Sequence, residues 1–222
     1  MVARDMAFES AVAVPVEGTL AVAWRLPRPV AVAGNGTAHR TVVRTAELDA
    51  RLDHVTAPAL GTDVHLRATA VNTSGAALLP GPLSTYLDGG FAGSTRIEAT
   101  APGEEIELAL GLDDRVSVER ELVARTAGKT LIGGKRESTE TWTVTVHNGR
   151  PAPVHLVVRE RIPVSRHADV QVVDVALTPD PAERDDLGRV EWRADVAAGA
   201  DFGARLRFGV RHARDLPVTG WT

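Results

Sequence analysis

Apolar and polar residues alternate with a period of two along most of this chain, and that period predicts strands. Leu20, Val22, Trp24 and Leu26 share one face, as do Val64, Leu66, Ala68 and Ala70. Ile106, Leu108 and Leu110 alternate with Glu105, Glu107 and Ala109. Val116, Val118 and Leu122 continue the pattern, interrupted at Arg120, and Trp142, Val144 and Val146 stand against Thr141, Thr143 and Thr145. Val154, Leu156 and Val158 follow after a short turn. Val190, Trp192, Ala194 and Val196 oppose Glu191, Arg193 and Asp195. The last alternation sets Phe202, Ala204, Leu206, Phe208 and Val210 against Asp201, Arg205, Arg207 and Arg211. One wet face per strand is the mark of antiparallel sheets. The segment 46–54 (AELDARLDH) is the one stretch with a helical alternative.

Gly34-Asn35-Gly36, Asp88-Gly89-Gly90, Pro102-Gly103 and Asn148-Gly149 separate the strands. Asp-Gly and Asn-Gly suit the positive backbone angles of hairpin turns. The region from Leu79 to Val116 compresses a Pro/Gly stop, two strands about Asp88-Gly89 and an alternating strand after Pro102-Gly103 into a meander. A weak repeat is visible as well. Residues 64–103 run strand, Asn72, turn, strand, Pro102-Gly103-Glu104; residues 141–210 run strand, Asn148, turn, strand, Ala198-Gly199-Ala200 and strand. Strand spacing of this kind predicts an all-β fold of antiparallel β-sandwich type, in two tandem immunoglobulin-like modules over residues 1–125 and 126–222. The glycine-rich stretch 126–136 reads as their linker or a long hairpin loop. A single larger sandwich with that loop as an insertion is the alternative.

At 222 residues the chain is long enough to bury a core without staples. Aromatic residues are only 4%, so valine, leucine and alanine must fill that core. The net charge of −4 lacks the basic footprint of nucleic-acid binding. With no cysteine there is no disulfide scaffold, thiolate zinc site or thiol nucleophile. The first ten residues lack the apolar run of a signal peptide, and no stretch reaches a membrane span, so a cytoplasmic location is the default expectation.

Motif by motif, the chain lacks a catalytic set. Gly128-Lys129-Thr130 resembles the tail of a phosphate-binding loop, but Val123 occupies the position of its first glycine. The seven histidines are scattered, and His147 with His155 would supply only two ligands across a turn. The acid pairs Glu104-Glu105, Asp113-Asp114 and Asp185-Asp186 come without cleft aromatics. No serine sits in a nucleophile elbow. Arg205, Arg207 and Arg211 read as the solvated face of an exposed strand, where charge discourages edge pairing. No enzyme activity, cofactor or metal is expected.

The ordered blocks Leu78-Leu79-Pro80-Gly81, Tyr86-Leu87-Asp88-Gly89 with Phe91 and Gly93, Pro102-Gly103-Glu104-Glu105, Leu110-Gly111 with Asp113-Asp114-Arg115-Val116, Glu121-Leu122-Val123, Val146-His147-Asn148 and Ile162-Pro163-Val164-Ser165 run through nearly the whole chain. In that order they resemble the mucoidy inhibitor A-like family, whose C-terminal β region is a domain of unknown function. The resemblance implies that this is the C-terminal portion of a longer protein with a small domain and a coiled coil before it; no heptad run is present here. It brings no catalytic residues and links the family only to an exopolysaccharide phenotype.

The expected function is that of a non-enzymatic interaction module, since binding concentrates on loops of a rigid scaffold. The candidate binding residues are Tyr86, Asp88, Asp113, Asp114 and Arg115, together with the 126–136 loop. Substitution at 113–115 is expected to weaken binding and spare the melting temperature. The expected partner is a protein, or a second copy by self-association. Carbohydrate binding is the alternative, with Tyr86 and Trp221 as the free aromatic candidates. Nucleic acid and a membrane span are not expected.

Overall fold

The computed structural model describes residues 14–17, 22–26, 29–87, 89–126, 135–213 and 216. Among them every regular element is a strand. A short hairpin, β1 (Val14–Glu17) and β2 (Val22–Arg25), comes first. Then follow β3 (Ala50–Thr56), β4 (Val64–Val71), β5 (Gly81–Leu87), β6 (Gly90–Ile97) and β7 (Glu105–Leu112). The next are β8 (Val116–Thr126), β9 (Lys135–Asn148), β10 (Val154–Arg161) and β11 (Val170–Thr178). The two-residue β12 (Glu183–Arg184), β13 (Arg189–Val196) and β14 (Asp201–Ala213) complete the order. No helix among the described residues is long and apolar enough to cross a membrane.

Two sheets dominate: a six-stranded sheet in the order β12-β13-β10-β3-β4-β7, and a four-stranded sheet in the order β11-β14-β9-β8. The expected strands from Val64 onward fall where the alternation put them. Of the expected 20–26 strand, Val22–Arg25 is a strand and Leu20 lies outside the described residues. The stretch 46–54 resolves as coil running into β3 rather than helix. β3 lies parallel to β10, with Asp53 opposite His155 and Thr56 opposite Val158. This is a departure from an all-antiparallel plan, and it comes from pairing between residues a hundred positions apart. β11 had no clean alternation because it carries a bulge between Val173 and Ala176, where Asp174 takes a positive φ of 51°. An extra residue switches the side-chain face partway along the strand.

The chain forms two compact units: residues 1–49, 70–80 and 98–106 in one, and residues 50–69, 81–97 and 107–222 in the other. Residue 126 ends β8, which pairs with β9 from Val116 opposite Asn148 to Thr126 opposite Thr139. The stretch 127–134, including Gly128-Lys129-Thr130, lies outside the described residues.

In the larger unit one hydrophobic core joins the inward residues of both sheets. Val64, Val154, Leu156, Val158, Val190 and Trp192 of the first meet Val116, Val144, Val146, Leu206 and Phe208 of the second. Each such side chain stabilises by roughly 1.5–3 kcal/mol on burial. Trp192 also donates its indole N–H to the Pro179 carbonyl at 2.8 Å, so its polar edge is satisfied. The Arg205-Arg207-Arg211 row lies on β14, between β11 and β9, and therefore guards no sheet edge. Arg211 binds Glu137 at 2.8 Å on the neighbouring strand.

The weak repeat recurs in the hydrogen bonding. In the smaller unit, buried Asn72 donates its amide to the carbonyls of Ala76 and Thr100 at 2.9 and 3.1 Å and accepts from the Ser74 N–H at 3.2 Å. Its backbone exchanges bonds with Glu104 and Gly103, at 2.8 and 2.9 Å. In the larger unit, Asn148 donates to Ala152, Val196 and Ala197, each at 3.0 Å, and accepts from the Arg150 N–H at 3.0 Å. Its backbone exchanges bonds with Ala200 and Gly199, at 3.0 and 2.8 Å. Gly103 and Gly199 both have positive φ, 86° and 69°. The register continues to match: Leu78 bridges Thr100 as Val154 pairs Val196, and Gly81 pairs Ile97 as Val157 pairs Arg193. β3-β4-β7 and β8-β9-β14 likewise hold the same order. Asn148-Gly149 thus turns the chain from one sheet to the other and closes no hairpin, unlike Asp88-Gly89 between β5 and β6.

Candidate functional site

Of the candidate residues, Asp113 sits deepest. It follows β7, and its N–H donates to the Val64 carbonyl at 2.9 Å, which turns the chain toward β8. Its side chain is only 6% exposed and meets three basic groups. Buried His54 approaches at 3.1 Å from β3, the Arg115 side chain at 3.3 Å, and Arg150 from the turn after β9 makes a close ion pair. The Arg115 N–H adds a bond at 3.2 Å. Burial pushes the Asp113 carboxyl upward, but Arg150, the Arg115 N–H and His54 outweigh it and hold its pKa at about 2. His54 is shifted the other way: burial lowers its pKa against the pull of Asp113. At neutral pH the corner is therefore a carboxylate, a neutral imidazole that donates to it, and two guanidinium groups.

Asp114 and Arg115 stay exposed. Gly149 completes the corner, donating its N–H to the Arg115 carbonyl at 2.8 Å. A β-carbon at this position would stand 2.7 Å from that oxygen. Gly149→Ala is expected to cost about 1–2 kcal/mol, read as a lower urea midpoint with an unchanged slope.

A pocket of about 490 Å³ opens beside the corner, lined by Arg51, His54, Arg150 and His155 among others. It looks basic, but the charges are already compensated. Arg51 binds Asp53 at 3.1 Å, Arg150 holds Asp113, and His155 pairs with Asp195. Asp53 in turn binds Arg67 at 3.0 Å, and although burial raises its pKa, the two arginines bring it below the usual carboxylate range.

Tyr86 is on β5, and its neighbour Leu87 lines the same pocket as Arg51, His54, Arg150 and His155. Tyr86 is 63% exposed, as is Phe91 opposite it, and their rings meet edge to face at 5.7 Å. Asp88 lies outside the described residues, as does Trp221. The structure thus joins Asp113 to Arg115, and Tyr86 makes its ring contact with Phe91. It adds Phe91, which the sequence named only within the family-like block around Tyr86.

A second buried polar group has no counterpart in the sequence reading. Arg120, the interruption in the β8 pattern, points inward and lies over the Trp142 ring at 3.7 Å. It reaches across to Glu160 of β10 at 2.8 Å, whose side chain is fully buried. Trp142 donates to buried Glu140 at 2.9 Å, and Arg125 binds Glu140 at 2.7 Å. Arg120, Glu140 and Trp142 line one wall of a groove of about 970 Å³. The Trp142 ring is thereby covered by a guanidinium and does not offer a bare platform.

The other acid pairs are dispersed. Glu104 and Glu105 are exposed, and Asp185 accepts N–H bonds from Leu187 and Arg189 at 3.0 and 2.9 Å. His147 pairs with Asp201 at 2.6 Å, on a different sheet from His155. Among the described residues no group of three or more His, Cys, Asp or Glu is placed to hold a metal ion.

Among the described residues, fold and site together define an all-β architecture with a buried ionic corner and an exposed aromatic pair on a hairpin. The family model described as Domain of unknown function (DUF4139) matches residues 5–214, and the chain belongs to that family. It is similar to Protein F37C4.5 of Caenorhabditis elegans, 29% identical over 168 residues, which is 75% of this chain and 30% of that protein. The chain thus matches under a third of that relative's length. No solved structure matches it.

Proposed function

We propose that this chain is a non-enzymatic binding module, built as two tandem immunoglobulin-like β-sandwich modules, that presents the β5–β6 hairpin to a protein partner. The observation that carries the reading is the exposed Tyr86–Phe91 pair. Two large aromatic rings left in water on a hairpin are the residue type that dominates interfaces. The tandem-module reading is supported by the matched hydrogen bonding of Asn72 and Asn148, and the sandwich reading by a core drawn from two facing sheets. The non-enzymatic reading is supported by the corner and the groove, whose buried ionisable groups are each engaged by a structural neighbour. The resemblance to the mucoidy inhibitor A-like family supports a place at the C-terminal end of a longer protein.

The test is affinity capture from lysate and envelope fractions of the source organism, with the chain immobilised. A specific protein should be retained, and Tyr86→Ala with Phe91→Ala should reduce retention by about tenfold or more. Stability should change by no more than about 1 kcal/mol, because both rings are exposed and lose chiefly their mutual contact. Retention that the double variant leaves unchanged would overturn the reading.

The same pair gives carbohydrate binding its one favourable observation, since exposed aromatic faces suit sugar rings. Tyr86 is the chain's only tyrosine, so quenching of tyrosine emission by an exopolysaccharide, lost in Tyr86→Phe, would select that alternative.

A further inference from the structure

We propose that the groove beside Trp142, within the larger unit, is a peptide site. Its occupant is an acidic segment of another protein that carries apolar side chains beside its carboxylates. The site is separate from the β5–β6 hairpin and does not rest on the hairpin reading.

Unequal strand lengths create the groove. β9 and β14 run for 14 and 13 residues, β10 and β3 for 8 and 7. At one end the two sheets are level, for Asn148 at the close of β9 bonds Ala152 just before β10. Near the other end of β10, Glu160 meets Arg120, which stands opposite Val144 of β9. Val144 in turn stands opposite Ala204 of β14. The inward residues further along, Glu140, Phe208 and Val210, therefore reach past Arg161, where β10 stops. The segment 162–169 crosses this end to reach β11, and the groove of about 970 Å³ opens there.

Three loops meet at the groove. Leu60 comes from the β3–β4 turn, Val164 and Arg166 from the β10–β11 segment, and Leu187 from the β12–β13 turn. The last two are fastened together: the Ile162 N–H donates to the Gly188 carbonyl at 2.9 Å, and the Ile162 oxygen leaves no room for a β-carbon at Gly188. Loops gathered at one end of a sandwich, on a rigid scaffold, are a recurrent place for recognition.

Two features of the groove fix the chemistry of its occupant. The first is apolar surface left in water. Leu60 is 91% exposed, Val164 51% and Leu187 47%, and Ile162, Phe208 and Val210 lie further in. A contiguous apolar patch of this kind marks an interaction site. The second is charge. The buried wall is neutral in sum, because Arg120 is matched by Glu160 and Glu140 by Arg125. Arg161 and Arg166 also line the groove, and among the described residues neither has an ion-pair partner. His167 has Asp169 at 4.0 Å. In a chain of net charge −4, this groove thus holds two unmatched guanidinium groups. A guanidinium fork suits a carboxylate, in geometry as well as charge. A small amphipathic acid would use the inner apolar surface alone. A segment several residues long reaches Leu60, Val164 and Leu187 together and brings carboxylates to both arginines.

The test is selection of random peptides, displayed on phage, against the immobilised chain. Enriched sequences should place Asp or Glu beside Leu, Ile or Phe. Arg161→Glu with Arg166→Glu should weaken binding of the enriched peptide, made synthetically, by about tenfold or more, and Leu60→Ser by several-fold. Binding to the natural chain should also weaken as salt is raised. All three residues are exposed, so the melting temperature should hold in both variants. No enrichment, enrichment of basic or uncharged peptides, or affinity indifferent to these variants would overturn the proposal. Dodecanoate bound in the same groove, with no peptide enriched, would overturn it in favour of a small amphipathic acid. Peptides lost in Tyr86→Ala with Phe91→Ala and kept in Arg161→Glu with Arg166→Glu would overturn it and leave the hairpin reading standing.

Discussion

Asp113→Ala is expected to lower the unfolding free energy by about 4 kcal/mol, the range for removing one partner from a buried ion pair. Alanine would leave Arg150, whose side chain is 19% exposed, and His54, 6% exposed, facing a hole where the carboxylate stood. Asp113→Asn keeps the shape but not the charge and should recover part of the loss. Acid should have the same target. The Asp113 pKa is depressed from 3.8 to about 2 in the folded chain, so its contribution is complete above about pH 5 and disappears as pH falls through 3.8 toward 2. That shift is worth about 2 kcal/mol. His54 acts in the same direction but at higher pH: its folded pKa is below 6.5, so acid is bound more readily by the unfolded chain. Urea midpoints between pH 7 and pH 2 should show the lower step in the natural chain and its absence in Asp113→Asn. A flat natural profile between pH 5 and pH 2 would show that the corner is not held by the ionised carboxylate.

Asn148→Ala should be nearly as costly, at about 3 kcal/mol. Its amide serves the carbonyls of Ala152, Val196 and Ala197, and its oxygen takes the Arg150 N–H, with the side chain wholly buried. Each buried group left without a partner costs roughly 1–3 kcal/mol, less whatever water can reach. Asn72→Ala removes the same bonds to Ala76 and Thr100 in the first repeat and should also destabilise, by somewhat less because one fewer carbonyl depends on it. Asn148→Asp should not restore stability, since a carboxylate offers acceptors to carbonyls that need donors. Thermal melts of the four chains check this directly. An Asn72 variant with unchanged stability would break the equivalence of the repeats.

How much of this was legible depended on distance along the chain. The strands read well because a half-buried strand writes its environment into alternate positions, as in Thr141 to Val146. The Asp88-Gly89 hairpin and the Asn72 and Asn148 repeat read well because their partners are close or their spacing recurs. Asp113 did not. In the sequence it was one half of the acid pair Asp113-Asp114, and only the pairing with Arg115 was local. The groups that make it structural, His54 and Arg150, come from 59 residues before and 37 after. The expectation that substitution there would spare the melting temperature gives way to the first prediction above, because the carboxylate is buried. Arg120 was hidden for a similar reason: its partner Glu160 is 40 residues away on the opposite sheet. β3 was ambiguous because its place is set by parallel pairing with β10, which leaves no mark in seven residues of sequence. Tyr86 was legible as a free aromatic because it falls outside the apolar alternations, and it is 63% exposed.

Hydrogen exchange, resolved by segment and measured on the chain alone and with a retained protein, separates a binding hairpin from a structural corner in one measurement. New protection should fall on residues 81–97, and 113–115 should exchange as they do in the chain alone. Protection that appears at 113–115, with the hairpin unchanged, would contradict the central claim and return the binding face to the ionic corner.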